Sequence, residues 1–232
     1  MNETSITDKP QIAYSECYVL PFFSFYNADN MAIMKTFKDK EFDLAIVDPP
    51  YGINMGGGKI GNSKKDYKQF AGSDSCIPNA EYFAELRRIS VHQIIWGGNY
   101  MIEHLKPTAC FIIWDKVQPE DFTMAMCEFA WTSMDTPAKI YKKRIVGADK
   151  DGRIHPTQKP VDLYDWILTK YAKDGFKILD THLGSGSIAI AIDKANTLDK
   201  KNLTFVGIEL DPDYFRAAVE RFKNHKKQGV LF

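Results

Sequence analysis

Short runs of consecutive apolar residues recur along the chain, and each run ends in a polar or glycine-bearing turn. The runs are FDLAIVD (42–48), QIIWGGN (93–99), CFIIWDK (110–116), FKILDTHLGSG (176–186) and TFVGIELD (204–211). A strand that is apolar on both faces is covered on both sides, as in a parallel sheet between two layers of helices. The pattern therefore predicts a buried, mostly parallel sheet.

Stretches with helical periodicity lie between these runs. Residues 80–89 place Phe83, Leu86 and Ile89 on one face, and residues 211–225 repeat the spacing. Strands that alternate with helices predict an α/β domain with a doubly wound sheet. Ligands of such sheets bind beyond the carboxyl ends of the strands, which is where Asp48, Asp180 and Glu209 fall.

Composition narrows the function classes. A chain of 232 residues with 44% hydrophobic and 26% charged residues fits one globular domain with a large core. The formal net charge is zero, so any surface for nucleic acid must be local. The four cysteines form no C-x-x-C pair, so we expect neither a disulfide framework nor a metal site, and a reduced cytoplasmic setting. No apolar run approaches the length of a membrane span, so no membrane partner is expected.

Two segments interrupt the alternating pattern. One is the basic, glycine-rich loop at about 52–75, and the other is the segment at about 132–154. Solvated surface loops are the simplest interpretation of both. Both segments are basic, and their positively charged residues include Lys59, Lys64, Lys65, Lys68, Lys142, Lys143 and Arg144.

A glycine pair near the C-terminus indicates a nucleotide-like ligand. Gly184 and Gly186 follow an apolar run and open a helical stretch, and Glu209 ends the next run, where an acid reaches a ribose. This pattern alone fits both NAD(H) and S-adenosylmethionine. Asp180 favours the second, because a carboxylate there would repel a pyrophosphate but attract an ammonium or a sulfonium group.

The string DPPYG (48–52) follows a buried strand, where two prolines remove two backbone donors and fix two φ angles. Acceptors on both N–H groups of an exocyclic amine, the Asp48 carboxylate and the Pro49 carbonyl, would direct the amine lone pair outward. Tyr51 could stack on a base that has left the duplex. A rigid turn with Tyr51 in the core is the structural alternative.

Together these motifs resemble an amino-methylating DNA methyltransferase of the adenine-N6 kind, over nearly the whole chain. The strings DPPYG (48–52) and HPTQKP (155–160) are the most specific, and IIWGGN (94–99) and LDTHLGSGS (179–187) agree with them. The catalytic motif precedes the glycine loop, as in the permuted β group of these enzymes, and the chain is most similar to the short forms carried by phages.

The resemblance implies a fold, a cofactor and roles for named residues. It implies a Rossmann-like methyltransferase domain over 1–232, with the segment at about 132–154 as a short target-recognition segment, S-adenosylmethionine as cofactor and no metal. Asp48, Pro49, Pro50 and Tyr51 would hold the flipped base. Beside such a base, the basic residues named above in the two interrupting segments would contact the DNA phosphates. The cofactor would be bound by Asp29, His155, Thr157, Gln158, Lys159, Asp180, Gly184, Ser185, Gly186 and Glu209.

One position departs from the family pattern. Relatives usually carry a phenylalanine two residues after the first acid of the glycine loop, where this chain has His182. An apolar wall against the methyl donor is therefore in question.

We interpret the chain as a site-specific methyltransferase that modifies adenine N6 in double-stranded DNA, as in restriction-modification systems. Cytosine-N4 methylation is the nearest alternative, although its motif more often begins with serine. Protein-glutamine methylation would favour asparagine at position 48 and the opposite motif order. A nicotinamide dehydrogenase would leave DPPYG without a role, and a non-catalytic DNA-binding module would not need it intact. The oligomeric state, monomer or homodimer, is left open.

Overall fold

The computed structural model describes residues 14–54, 58–59, 66–67, 74–119, 125–144, 154 and 158–228. Within these ranges the strands are β1 Glu16–Leu20, β2 Phe23–Asn27, β3 Phe42–Val47, β4 Gly58–Lys59, β5 Asp66–Tyr67, β6 Ser90–Trp96, β7 Phe111–Asp115, β8 Cys127–Thr132, β9 Lys139–Lys142, β10 Lys177–Asp180 and β11 Thr204–Glu209. The α-helices are α1 Asn30–Met34, α2 Ala80–Ile89, α3 Val161–Tyr171, α4 Ser187–Leu198 and α5 Pro212–Gln228.

Nine of the described strands form one mixed sheet in the order β1-β2-β11-β10-β3-β6-β8-β7-β9. The run from β2 to β6 is parallel throughout. β8 is antiparallel to both β6 and β7, β1 is antiparallel to β2, and β9 is parallel to β7. This topology confirms the mostly parallel α/β sheet that the apolar runs predict.

The five predicted strands correspond to β3, β6, β7, β10 and β11, but four strands of the sheet escaped the prediction. β1 and β9 lie at the two edges of the sheet and alternate between more and less exposed positions. β2 alternates as well, with residues such as Ser24 between buried phenylalanines. An alternating strand carries no continuous apolar run, so a search for such runs misses these three strands. The fourth, β8, lies inside the sheet but is only partly buried over its first three residues.

Both faces of the sheet are covered, as a doubly wound fold requires. On one face α3, α4 and α5 pack against a large cluster that includes Phe23, Phe25 and Phe222. On the other face α1 and α2 contribute Ile33 and Leu86 to a second cluster.

The parallel direction of the central strands brings their carboxyl ends to one edge of the sheet. Asp48 follows β3, Asp180 ends β10 and Glu209 ends β11, and these three strands lie next to one another. The side chain of Asn27, at the end of β2, donates to the carbonyls of Glu209 and Leu210 at 2.9 and 3.0 Å. The polar residues that the sequence singles out therefore share this edge.

The two predicted loops are described in part. The segment 52–75 is described at 52–54, 58–59, 66–67 and 74–75, where β4 and β5 pair as a short antiparallel ladder. The segment 132–154 is described at 132–144 and at 154. In the portion of the chain that the structure describes, no helix is both long and apolar enough to cross a membrane. All four cysteines lie within that portion as free thiols.

The aromatic cluster on the α5 face gives a test of the fold. Phe222 is fully buried, with its ring 4.8 Å from that of Phe23 and 5.2 Å from that of Phe25. We expect Phe222→Ala to lower the free energy of unfolding by about 3–5 kcal/mol through lost contacts and a cavity. Urea unfolding measures this. Leu198→Ala, at a side chain that is 70% exposed, is the control, and we expect it to change stability by less than about 0.5 kcal/mol. Equal effects would contradict the packing.

Candidate active site

The turn after β3 holds its acid and its tyrosine against each other. The Tyr51 hydroxyl donates to Oδ1 of Asp48 at 2.6 Å. Burial, reinforced by the charges of Asp48 and Glu128, raises the pKa of Tyr51 well above its usual value. The phenol therefore remains a donor, and the Asp48 side chain is fixed relative to the two prolines of the turn.

Two residues after β6 shape the surroundings of the Tyr51 ring. Gly97 has φ +66°, and a Cβ at this position would lie 2.2 Å from Cε1 of Tyr51, so its backbone packs where a side chain would clash. The Tyr100 ring stacks on Tyr51 with centroids 5.3 Å apart and an interplanar angle of 18°, while Tyr100 stays 45% exposed. Gly97 thus makes room for the turn at 48–52, the candidate catalytic turn, whereas Gly98 packs against Trp131. Tyr100 adds an aromatic surface that sequence reasoning missed.

Lys159, from the motif predicted to cover the cofactor, contacts the catalytic turn. Its Nζ lies 2.5 Å from Oδ2 of Asp48, 3.1 Å from the Tyr51 hydroxyl and 3.2 Å from Oε2 of Glu128. Nζ is 5.6 Å from the Tyr51 ring centroid, so it lies beyond the hydroxyl, near the ring plane, and the contact is polar rather than cation–π. Cofactor contact by Lys159 stays a prediction.

The Asp74 carboxylate stabilises the backbone of the candidate catalytic turn. Its Oδ1 accepts from the backbone N–H groups of Tyr51 at 2.7 Å and Gly52 at 3.1 Å. The Asn54 N–H donates to the Asp74 carbonyl at 2.8 Å. The far end of the basic loop thereby returns to the residues from which the loop departs. This acid lies in GSDS (72–75), and no local pattern marks its partner.

Asp180, the last residue of β10, is almost completely buried. Its Oδ1 accepts from the His182 N–H at 2.9 Å. Burial raises its pKa to about 8, and the charges of Asp48 and Glu209 add to the rise, while Lys159 opposes it. A cationic ligand beside Asp180 would relieve the cost of ionising this carboxyl, so the site fits the ammonium group of an amino acid.

The glycine turn between β10 and α4 has the predicted form. Gly184 and Gly186 adopt φ of +53° and +69°, the left-handed region that glycine enters without strain. The Gly184 N–H donates to Oε2 of Glu209 at 2.8 Å, and the Asp211 N–H donates to Oε1 at 2.9 Å. Burial raises the pKa of Glu209. Each carboxylate oxygen keeps acceptor capacity for a further donor, such as a ribose hydroxyl.

Other predicted cofactor residues have local partners. Asp29 caps α1 through Oδ1, which accepts from the Ala32 N–H at 2.9 Å. Ser185 is buried, with its hydroxyl 3.1 Å from that of Ser187. Oε1 of Gln158, also buried, accepts from the Ile154 N–H at 3.0 Å. The predictions for His155 and Thr157 lie outside the described residues.

His182, the departure from the family pattern, belongs to a polar cluster. Its Nε2 lies 3.1 Å from Nδ2 of Asn30 and its Nδ1 lies 2.9 Å from the Thr181 hydroxyl, which also contacts the Tyr82 hydroxyl at 2.7 Å. Its ring meets that of Tyr82 edge to face. Burial lowers the pKa of His182 to about 3, so a neutral imidazole takes the place of the usual phenylalanine.

The candidate DNA-binding residues are only partly described. Lys142 and Arg144 are exposed at the end of β9, and Nζ of Lys142 lies 3.9 Å from Oδ2 of Asp115. The Lys143 ammonium forms an ion pair with Asp162. The backbone of Lys59 lies in β4, whereas the predictions for Lys64, Lys65 and Lys68 fall outside the described residues. Across the ranges that the structure describes, no group of His, Cys, Asp or Glu side chains could hold a metal ion.

The hydrogen bonds of Asp74 give a test of the catalytic turn. We expect Asp74→Ala to lower the free energy of unfolding by about 1–3 kcal/mol, because two backbone donors lose their acceptor. Asp74→Asn keeps an acceptor oxygen and is the matched control, with most of the stability retained. Urea unfolding of both variants makes the comparison. Equal destabilisation by Ala and Asn would show that the charge of Asp74, and not its hydrogen bonds, supports the turn.

Comparison with known proteins matches this arrangement to one family. A family model described as DNA methylase matches residues 113–220, from β7 into α5. The type II methyltransferase M2.MboI of Moraxella bovis is 24% identical over 259 aligned residues, which cover 90% of this chain and 93% of that protein.

Two solved structures have a similar fold. The M1.HpyAVI–SAM complex is 21% identical, with a TM-score of 0.56, and the likeness covers 86% of this chain and 98% of that one. The PvuII DNA methyltransferase (cytosine-N4-specific) is 11% identical, with a TM-score of 0.59, and the likeness covers 93% and 94% of the two chains. At these identities the likeness concerns the fold. Taken with the family model over residues 113–220 and the full-length relatives, it leads to one conclusion: this chain is similar in sequence and in fold to the DNA methylases of the N6/N4 kind.

Proposed function

We propose that this protein is a DNA methyltransferase that transfers a methyl group from S-adenosylmethionine to N6 of an adenine that has been flipped out of double-stranded DNA. The observation that carries the proposal is the adjacency of two motifs. Asp48 and Tyr51 follow β3, while Asp180 and the glycine turn follow β10, its parallel neighbour in the sheet. An acceptor for an amine and an acid for a cationic donor thus lie side by side.

Asp48 is suited to bind an exocyclic amine. Each carboxylate oxygen has two acceptor sites, and the Tyr51 hydroxyl and the Lys159 ammonium occupy one on each oxygen. A remaining site can accept an N–H of adenine N6, and the Pro49 carbonyl is proposed as the second acceptor. Two acceptors direct the nitrogen lone pair away from the turn, which compensates for its delocalisation into the ring. The proton that the nitrogen loses can pass to water.

Residues at the ends of β2, β10 and β11 would hold the cofactor. S-adenosylmethionine supplies a methyl group that its sulfonium already activates, so positioning is the main task of the protein. Asp180 would bind the ammonium of the methionine portion and Glu209 the ribose hydroxyls. The glycine turn lets the backbone approach closely, and Asp29 would lie near the adenine. His155, Thr157 and Gln158 are proposed to close the pocket.

The alternatives fit the site less well. An N4 enzyme more often begins its motif with serine, whereas Asp48 begins it here. The PvuII enzyme is cytosine-specific by name, but at 11% identity its similarity to this chain concerns the fold alone. The pyrophosphate of NAD(H) would meet the buried carboxyl of Asp180, whereas Glu209 fits the ribose of either cofactor.

DNA contact is proposed for the basic residues beside the catalytic edge. Lys142 and Arg144 are exposed where β9 ends, at the same edge of the sheet as Asp115 and Asp48. Since the chain has no net charge, binding would depend on this local surface and weaken steeply with salt. We propose the same DNA contact for Lys59, Lys64, Lys65 and Lys68 in the glycine-rich loop. Residues 1–232 are proposed to form one domain.

Nucleoside analysis tests the proposed reaction. After incubation with labelled methyl donor and unmethylated plasmid, the digested DNA should contain N6-methyladenine. Asp48→Ala should abolish product while the dissociation constant of the donor stays within about threefold, because Asp48 binds the base and not the cofactor. Asp39→Ala, at an exposed acid before β3, is the control and should retain activity. N4-methylcytosine in place of N6-methyladenine would refute the adenine assignment.

The pKa of Asp180 gives a second test. Because its carboxyl has a pKa of about 8 in the free protein and the cationic donor needs the carboxylate, the part of donor affinity that depends on ionisation of Asp180 should rise from pH 6 to 8.5. Asp180→Asn should weaken binding about 10- to 100-fold and lose the part of the pH dependence that Asp180 causes. Calorimetry of both proteins across this pH range separates the titration of Asp180 from that of the donor's own amine. Parallel pH profiles would contradict the role of Asp180.

A further inference from the structure

Four charged side chains of alternating sign form a chain that ends on the catalytic acid. Lys116 lies 2.8 Å from Oε1 of Glu128, whose Oε2 lies 3.2 Å from Nζ of Lys159. Lys159 in turn lies 2.5 Å from Oδ2 of Asp48. We call Lys116, Glu128 and Lys159 the ion-pair relay. Its members come from the end of β7, the start of β8 and the segment before α3.

The ion-pair relay is largely shielded from water. The side chains of Lys159 and Lys116 are 3% and 7% exposed, and that of Glu128 is 24% exposed. Burial would lower the pKa of Lys159, but the carboxylates of Asp48 and Glu128 outweigh it and raise this pKa. Burial likewise would raise the pKa of Glu128, but Lys159 and Lys116 outweigh it and lower this pKa. Both groups are therefore charged at neutral pH.

Stability alone does not account for such an arrangement. Desolvation of buried ions consumes most of the attraction between them, and apolar side chains of similar size often serve stability as well or better. Glu128 and Lys116 also lie away from the cofactor residues at β10 and β11, because β6 and β3 separate β8 from β10 in the sheet. What the ion-pair relay reaches is Asp48.

We propose that Lys159 and Glu128 are positioning residues for the Asp48 carboxylate. The inference rests on the proposed function. Tyr51 holds one carboxylate oxygen of Asp48 and Lys159 the other, so the carboxylate cannot rotate and its free acceptor site keeps one direction. Glu128 gives the Lys159 ammonium a third partner, so its position does not depend on Asp48 and Tyr51 alone.

Charge balance explains why the relay continues beyond Lys159. A single ammonium beside the amine would oppose the positive charge that the nitrogen gains when it accepts a methyl group. Asp48 and Glu128 both pair with Lys159, and Lys116 neutralises the second of these two negative charges by pairing with Glu128. With Asp48 included, the four groups sum to zero.

Single-turnover kinetics with saturating donor and DNA test the inference. Misplacement of a catalytic group by about 1 Å costs about 100-fold in rate, so we expect Lys159→Gln to slow methyl transfer about 100-fold and Glu128→Gln about 10-fold. Donor affinity should stay within about threefold in both, because neither variant loses a cofactor contact. The double variant should be as slow as Lys159→Gln alone, since Glu128 acts through Lys159.

Lys177→Gln is the matched control, because Lys177 pairs with Glu41 at 2.8 Å at the opposite edge of the sheet. It should transfer methyl groups at the wild-type rate. Urea unfolding of each variant distinguishes a slow enzyme from an unfolded one, and the double variant, which removes one charge of each sign, guards against misfolding caused by an unpaired anion.

Three results would overturn the inference. Weaker donor binding by Lys159→Gln with an unchanged rate would make Lys159 a cofactor ligand. Multiplicative losses in the double variant would show that Glu128 does not act through Lys159. Full activity in Lys159→Gln would show that Lys159 does not position Asp48. The proposed function has a separate test, which is the identity of the base that the wild-type enzyme methylates. The comparison of rates between variants is valid whether that base is adenine or cytosine.

Discussion

The parallel alignment of β3, β10 and β11 constrains everything else in the site. It places Asp48, Asp180 and Glu209 at the carboxyl ends of three adjacent strands, so the buried carboxyl of Asp180 lies between two partly buried ones at one edge of the sheet. The negative charges of Asp48 and Glu209 add to the rise in the pKa of Asp180 that burial causes. The remaining features of the site can be understood as responses to this crowding.

Each acid is accommodated differently. Glu209 accepts two backbone N–H groups, and Asp180 accepts one and has a pKa of about 8. Asp48 instead receives a phenol and an ammonium from side chains. In the proposed reaction these environments would divide the chemistry: Asp180, the acid that most needs a cation, would bind the cofactor, and Asp48, the acid with fixed donors, would bind the substrate.

The sequence predicted the central strands and the residues that follow them, because continuous apolar runs and glycine turns are local signals. The same holds for Asp48, Asp180 and the Gly184–Gly186 turn, whose geometry agrees with the predicted positions. Edge strands such as β1 and β9 alternate in exposure and gave no such signal.

Contacts between distant segments could not be predicted in this way. Asp74 and Tyr51 are 23 residues apart, and Lys159 and Asp48 are 111 apart, yet both pairs form short hydrogen bonds. The family motif suggested a cofactor role for Lys159, and only the fold reveals its contact with the catalytic turn. Glu128 and Tyr100 lack any motif that would mark them, since their roles depend on which strand lies beside which.

The central claim is that Asp48 binds the amine that receives the methyl group. It is tested most directly by a crystal structure of the enzyme with a cofactor analogue and a DNA duplex. The account predicts an extrahelical adenine whose N6 lies within about 3.2 Å of an Asp48 carboxylate oxygen, with Lys159 still paired to the other oxygen. An extrahelical base whose amine lies away from Asp48, or Asp48 turned toward the cofactor, would contradict it.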